Sequence, residues 1–148
     1  MDVTEKLHEV TGEVFIDVRD KDGNLIEQIH QKNIITNGGR DAIVRLIAEG
    51  TSGKRVTKIG FGIGTAAPQL TDTNLTSAFV KAVGGRTYPA SGQVEIEWTL
   101  GLGEANGMAI TEIGLVCQDD TLFSRLVRET PINKTSDISL SSRYVLNY

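Results

Sequence analysis

Three groups of residues in this chain have the types and spacing that could support chemistry. Gly62, Gly64 and Ala67, in the stretch GFGIGTAAPQLTDTNL (60–75), fit the order G-x-G-x-x-A, which cradles a pyrophosphate when it joins a strand to a helix presenting free backbone N–H groups. Pro68 suits a first helical position, but QLTDT (69–73) carries no 3.6-residue apolar stripe with which a helix could be buried. The spacing therefore reads as structural, a glycine-relieved strand turning into a Pro-Asp loop. Glu95 and Glu97 lie about 7 Å apart by strand geometry, a separation found between glycosidase carboxylates, although exposed strand glutamates are the simpler reading. Asp20 and Asp22 with Asn24, and the pair Asp119-Asp120, resemble fragments of a calcium loop. The full D-x-[DN]-x-[DN]-G order with a distant Glu is not met, so both read as hairpin turns.

No other catalytic constellation is present. The chain contains no G-x-S-x-G, H-E-x-x-H, C-x-x-C or Walker sequence, and one cysteine, Cys117, with two histidines, His8 and His30, cannot build a Cys/His zinc site. No catalytic, cofactor-binding or metal-ligating residue is assigned, and no cofactor is expected. Fifteen basic residues stand against 19 acidic ones, a formal charge of −4 without a Lys/Arg run, which argues against nucleic acid as a partner. The N-terminal MDVTEKLHEVTGEV lacks the basic-then-apolar order of a secretory signal, and no apolar run is long enough to cross a bilayer. Membrane insertion is not expected, and the chain reads as one made in a reducing cytoplasm.

The elements that must position these residues are mostly strands. Val14, Ile16 and Val18 alternate with Glu13, Asp17 and Arg19, Phe15 being the exception, and residues 20–24 (DKDGN) supply a turn before an extended segment over residues 25–35. Thr36 and Asn37 are suitable caps for an amphipathic helix at about residues 37–49, with Ala42, Ile43, Leu46 and Ile47 on one face, a stop at Gly50, and Arg40, Asp41 and Arg45 on the solvent side. Residues 56–64 read as a strand with Ile59, Phe61 and Ile63 on one face and Gly60, Gly62 and Gly64 on the other. Thr71 or Asp72 could cap a turn through residues 75–79, and a short strand is expected around Thr87.

Val94, Ile96, Trp98, Leu100 and Leu102 alternate strictly with polar or glycine positions, so one face is core and Trp98 sits in it. Residues 103–107 (GEANG) turn the chain. A further strand carries Ile113, Leu115 and Cys117 in its apolar register and Ile110, Glu112 and Gly114 in the other. After a turn at Gln118-Asp119-Asp120, residues 122–128 return, and Ile138, Leu140, Tyr144, Leu146 and Tyr148 close the chain in an even register. Six to eight strands and one helix predict a mainly β fold, an antiparallel β-sandwich or flattened barrel. At 148 residues a single domain over 10–148, preceded by a flexible arm over 1–9, buries roughly 70% of its unfolded surface. The bare face of Gly60, Gly62 and Gly64 invites close approach by another strand, by the helix or by a neighbouring subunit.

Several segments resemble, in order, the small tail-fibre and collar-type structural proteins of tailed bacteriophages and prophages. NIITNGGRDAIVRLIAEG resembles the helix that opens their conserved region, IGFGIGTAAPQLTDTNL their glycine-rich strand and loop, EANGMAITEIGL with LFSR their late hairpin, and INKTSDISLSSRYVLNY their closing strand. The resemblance covers roughly residues 33–148 and implies a virion structural protein of a phage-like tail without enzymatic activity. With the polar arm, the strand-rich single domain and the absence of a catalytic site, the expectation is a self-associating subunit, a trimer or ring, that joins a fibre, baseplate or collar to other tail proteins and is made in the host bacterial cytoplasm. Residues 60–64 (Gly60, Phe61, Gly62, Ile63, Gly64) are the candidate subunit-contact strand, and Pro68, Asp72, Asp119 and Asp120 the candidate loop contacts. The alternative is a host-surface glycan-binding module in which Trp98, Tyr88 or the loops near Asp72 and Asp119 grip the sugar.

Overall fold

The structure, a computed structural model, describes residues 9–148. Apart from Glu9, the arm expected over 1–9 lies outside the described residues. Strands β1 (Thr11–Asp20) and β2 (Leu25–Ile35) pair as the anticipated antiparallel hairpin. Its turn is made by Asp20, whose Oδ1 accepts from the backbone N–H groups of Asp22 and Asn24, both at 2.9 Å. Those bonds hold the Asp20 carboxyl below its ordinary value, the Asn24 N–H contributing most.

Helix α1 spans Asn37–Glu49. Thr36 is its cap: the hydroxyl accepts from Gly39 N at 3.0 Å and donates to the Leu122 carbonyl at 2.6 Å, so one side chain both starts the helix and fastens it to the sheet. Gly39 is required here, because a Cβ would strike the Phe123 carbonyl oxygen. This backbone approach changes the expected helix face. Ala42 is fully buried, but Ile47 is 81% exposed and Val44 57%, because the contact is made through the first turns and the C-terminal half overhangs the sheet.

The remaining strands are β3 (Val56–Gly62), β4 (Phe79–Ala82), β5 (Arg86–Thr87), β6 (Gln93–Leu100), β7 (Ala109–Cys117), β8 (Ser124–Asn133) and β9 (Ile138–Asn147). Together the nine strands form one antiparallel sheet in the order β4-β3-β7-β8-β2-β1-β9-β6-β5, curled into a half-barrel. The fold is thus mainly β with one α-helix, as the alternation patterns imply. The two outermost strands, β4 and β5, are consecutive in the chain. Between them Val83 N donates to Thr57 O at 3.0 Å, while Gly84 N donates to Glu97 O at 2.6 Å and Glu97 N to Gly85 O at 2.9 Å. One segment therefore crosses from the edge of β3 to the edge of β6 and covers parts of both, which removes hydrogen-bonding edge from solvent.

The core lies inside the curl, where Phe61 of β3 meets Trp98 of β6 edge-to-face at 4.9 Å between ring centroids. Trp98 is 1% exposed, which places it in the core and leaves it no surface on which to stack a sugar. Tyr144 is fully buried beside it in the cluster, with its hydroxyl 2.6 Å from Ser124 Oγ.

Other boundaries shift from the sequence reading. β6 ends at Leu100, and Leu102 lies in the following turn, 39% exposed, because glycines at 101 and 103 release the strand. β8 begins at Ser124 and continues to Asn133, β9 stops before Tyr148, and no helical turn forms over 75–79. Among the described residues no helix is long and apolar enough to cross a membrane.

Candidate functional site

β3 and β7 pair antiparallel with Gly62 opposite Glu112 and Gly60 opposite Gly114. The absence of β3 side chains on this face leaves room above the sheet. A Cβ on Gly60 would meet Leu75 Cδ1 at 2.8 Å, and one on Gly62 would meet Glu112 Oε1 at 2.6 Å and the Thr76 carbonyl at 3.0 Å. What approaches the bare face is therefore the chain's own loop, residues 63–78, together with one carboxylate.

That carboxylate holds both ends of the loop. Glu112 Oε1 accepts from Gly64 N at 2.5 Å and from Thr76 N at 2.9 Å, and Oε2 accepts from Arg125 Nε at 2.8 Å. Arg125 continues the network, donating from Nη1 to Asp72 Oδ2 at 2.8 Å and from Nη2 to the Ala66 carbonyl at 3.0 Å. Asp72 Oδ2 also accepts from Gln69 N at 2.8 Å, Thr111 Oγ1 donates to Gly64 O at 2.6 Å, and Asn37 N donates to Leu70 O at 2.8 Å. The Glu112 and Arg125 side chains are only 1% and 5% exposed. Burying either charge alone would cost several kcal/mol, and the fork geometry of the guanidinium lets one side chain meet two carboxylates and a carbonyl. The result is a compact Ω-type loop fixed at its base, with Pro68, Thr71 and Thr73 exposed at its surface.

The residues singled out from sequence are distributed as follows. Gly60, Phe61 and Gly62 are buried, Gly64 is half-buried and Ile63 is 43% exposed; Phe61 points into the core, and the glycines underlie the loop. No helix follows β3, and the N–H of Gly64 is already bonded to Glu112, so this stretch does not present the free N–H row that a phosphate needs. Pro68 lies on the loop surface and Asp72 in its base.

Asp119 and Asp120 lie in the β7–β8 turn, paired with Lys54 at 2.9 Å and with Lys58, respectively. The hydrogen bond from the Lys54 ammonium, supported by Thr121, holds the Asp119 carboxyl down at about 2. Both loops flank the start of α1, with Leu70 bonded to Asn37 and Thr121 against Gly38, but no hydrogen bond or ion pair among the described residues joins them.

Glu95 is engaged by Arg143 at 2.8 Å, while the neighbouring Glu97 is exposed. Cys117 is buried, and desolvation pushes its thiol up to about 11, far from the thiolate a nucleophile requires. Among the described residues no three His, Cys, Asp or Glu side chains are grouped so as to hold a metal ion.

Sequence reasoning placed Glu112 in a polar register and did not single out Arg125. In the structure both faces of β7 are buried from Ile110 to Cys117. The signal that could have found the site is the glycine row itself, which needs a large side chain opposite it, but naming Glu112 requires the β3–β7 register. Comparison with known proteins finds no matching family model, no matching curated protein and no matching solved structure.

Proposed function

We propose that the chain is a non-catalytic structural subunit of a phage-like tail, self-associating and joined to other tail proteins as part of a fibre, baseplate or collar. The observation that carries this reading is the Glu112–Arg125–Asp72 clamp, which commits two buried charges, Glu112 and Arg125, to fixing a surface loop on an edge-covered sheet. Such a construction favours a rigid surface for assembly over a site that must accept and release a reactant. The ordered resemblance of residues 33–148 to tail-fibre and collar-type proteins gives the class.

Self-association has a surface to use. An apolar groove of about 570 Å³ is lined by Val10, Ile43, Tyr88, Val94, Leu146 and Tyr148, with Tyr88 and Tyr148 75% and 78% exposed. Ile47 extends the Ile43 face by one helical turn, and exposed apolar area of this kind is characteristic of association surfaces.

The test is light scattering on the full chain, combined with incorporation into tail particles produced alongside it. A defined oligomer that co-sediments with tails is expected. A strict monomer that also fails to join tails overturns the proposal.

A further inference from the structure

Lys134, the first residue after β8, is an amine buried without a counter-ion. It is 1% exposed. Lys54, Lys58 and Lys81 each meet a carboxylate, whereas among the described residues no carboxylate lies within 4.0 Å of the Lys134 ammonium. Its Nζ donates instead to Asn106 Oδ1 and to the Thr135 carbonyl, both at 2.9 Å. Desolvation lowers the pKa of Lys134 against the opposing charge of Glu104, which favours the neutral amine, the form that attacks a carbonyl.

The amide that faces this amine is held in place. Asn106 lies in the turn between β6 and β7, where its Nδ2 donates to the Leu102 carbonyl at 2.9 Å. Glu104 fixes the same turn, its Oε1 accepting from Gly101 N at 2.9 Å and from Lys81 Nζ at 2.8 Å. Two backbone bonds, Gly107 N to the Lys134 carbonyl and Lys134 N to the Met108 carbonyl, both at 2.9 Å, lock the turn to the end of β8. Between Glu104 and Asn106, Ala105 has a φ of 54°, a left-handed conformation unfavourable for a residue with a Cβ and maintained only where the surroundings impose it. A hydrogen bond of this length puts Asn106 Cγ about 4 Å from Nζ, just outside the separation from which positioned groups react.

We propose that Lys134 and Asn106 join in an intrachain isopeptide bond. The neutral amine attacks Asn106 Cγ, the Nζ–Cγ bond forms, the Cγ–Nδ2 bond breaks, and one proton of Nζ passes to Nδ2, so that ammonia leaves. Counted from the charged lysine, the product is a neutral amide and a released ammonium ion, and no oxidant, reductant or other co-reactant takes part. The drive is the removal of a buried, unpaired cation. Gly107 N is the competing nucleophile for the same Cγ, but its N–H is bonded to the Lys134 carbonyl. Closure ties the β6–β7 turn to the β8–β9 turn and constrains the unfolded chain; before it, Lys134 contributes its hydrogen bonds alone. The bond does not depend on assembly into tails.

The test is the intact mass of the full chain in denaturant, fresh and after incubation for days at neutral pH, followed by proteolysis and tandem mass spectrometry. A loss of about 17 Da is expected, with the peptide containing Lys134 joined to the peptide containing Asn106. Lys134→Arg, Lys134→Met and Asn106→Ala should keep their full sequence masses. The closed chain should unfold at a higher urea concentration than the open one, while Lys134→Met matches or exceeds only the open one. The proposal is overturned by a mass that stays at the sequence value, by a loss that persists in both Lys134 variants, which marks a succinimide at Asn106-Gly107, or by a gain of about 1 Da from deamidation without a linked peptide.

Discussion

Replacing Glu112 by alanine removes the acceptor for Gly64 N and Thr76 N and takes one of two carboxylates from a guanidinium that is 5% exposed. Two backbone bonds at about 1 kcal/mol each and one charge-assisted bond at about 1.5–3 kcal/mol sum to roughly 3–5 kcal/mol, the cost expected for breaking a buried ion pair. Asp72 and the Ala66 carbonyl still receive Arg125, so the lower part of that range, about 3–4 kcal/mol, is the expected value. A domain of this size is stable by about 5–15 kcal/mol, so the loss is a large fraction of the total and lowers Tm by about 6–16 °C. Denaturant unfolding measures it, and limited proteolysis within residues 65–74 shows whether the loop has come free.

Glu112→Gln keeps an oxygen for the two N–H groups but sets an amide NH2 against Arg125 Nε, losing the charge and the Arg125 bond while keeping the two backbone bonds, so it should cost about 1.5–3 kcal/mol. A cycle with Arg125→Met should show coupling of at least about 1 kcal/mol. If Glu112→Ala costs under about 1 kcal/mol and leaves the loop as protease-resistant as before, the clamp does not hold the loop and the reasoning fails.

Gly62→Val drives a side chain into Glu112 Oε1 and the Thr76 carbonyl, and should destabilise the isolated subunit by about 1–3 kcal/mol; a variant with unchanged unfolding but lost assembly would instead place this strand at a subunit contact. Trp98→Ala empties a site inside the curl, where the indole packs on Phe61, and should cost about 3–5 kcal/mol, while the wild-type indole fluoresces in the blue; red-shifted emission would contradict its burial. Lys134 is 1% exposed, and desolvation lowers its pKa. Its ammonium reaches only Asn106 Oδ1 and the Thr135 carbonyl, on residues open to water, so Lys134→Met should be neutral or stabilising by about 1 kcal/mol in urea unfolding; a loss above about 1 kcal/mol would show that the amine is holding the turn together. Because the folded-state pKa of Asp119 lies below its ordinary value, at about 2, its stabilising contribution is complete above about pH 4 and disappears as pH falls towards 2. The stability gap between wild type and Asp119→Asn should close over that interval, and a gap independent of pH would refute the Lys54 pairing.

Local signals carried much of the fold. The β1–β2 hairpin follows from the alternation of Val14, Ile16 and Val18 and from the Asp20 turn, and α1 begins and ends at its caps, Thr36 and Gly50, because each depends on neighbours in sequence. The central position of Trp98 was legible for the same reason. Ile47 was misplaced because the amphipathic pattern cannot report that Gly39 brings the first turn of α1 onto Phe123 and leaves the last turn overhanging.

The candidate site lies at the other extreme. Sequence determined that the alternate positions 60, 62 and 64, the first two in β3 and the third just past its end, have no side chain and that something must cover them. Only the tertiary structure decided what covers them, because the answer depends on Gly62 facing Glu112, dozens of positions away in the chain, across β3–β7 and on Arg125 arriving from the next strand, β8. Periodicity reports which way a side chain points; only the pairing register decides which partner it meets, and a charge such as that of Glu112 is buried or exposed according to that partner.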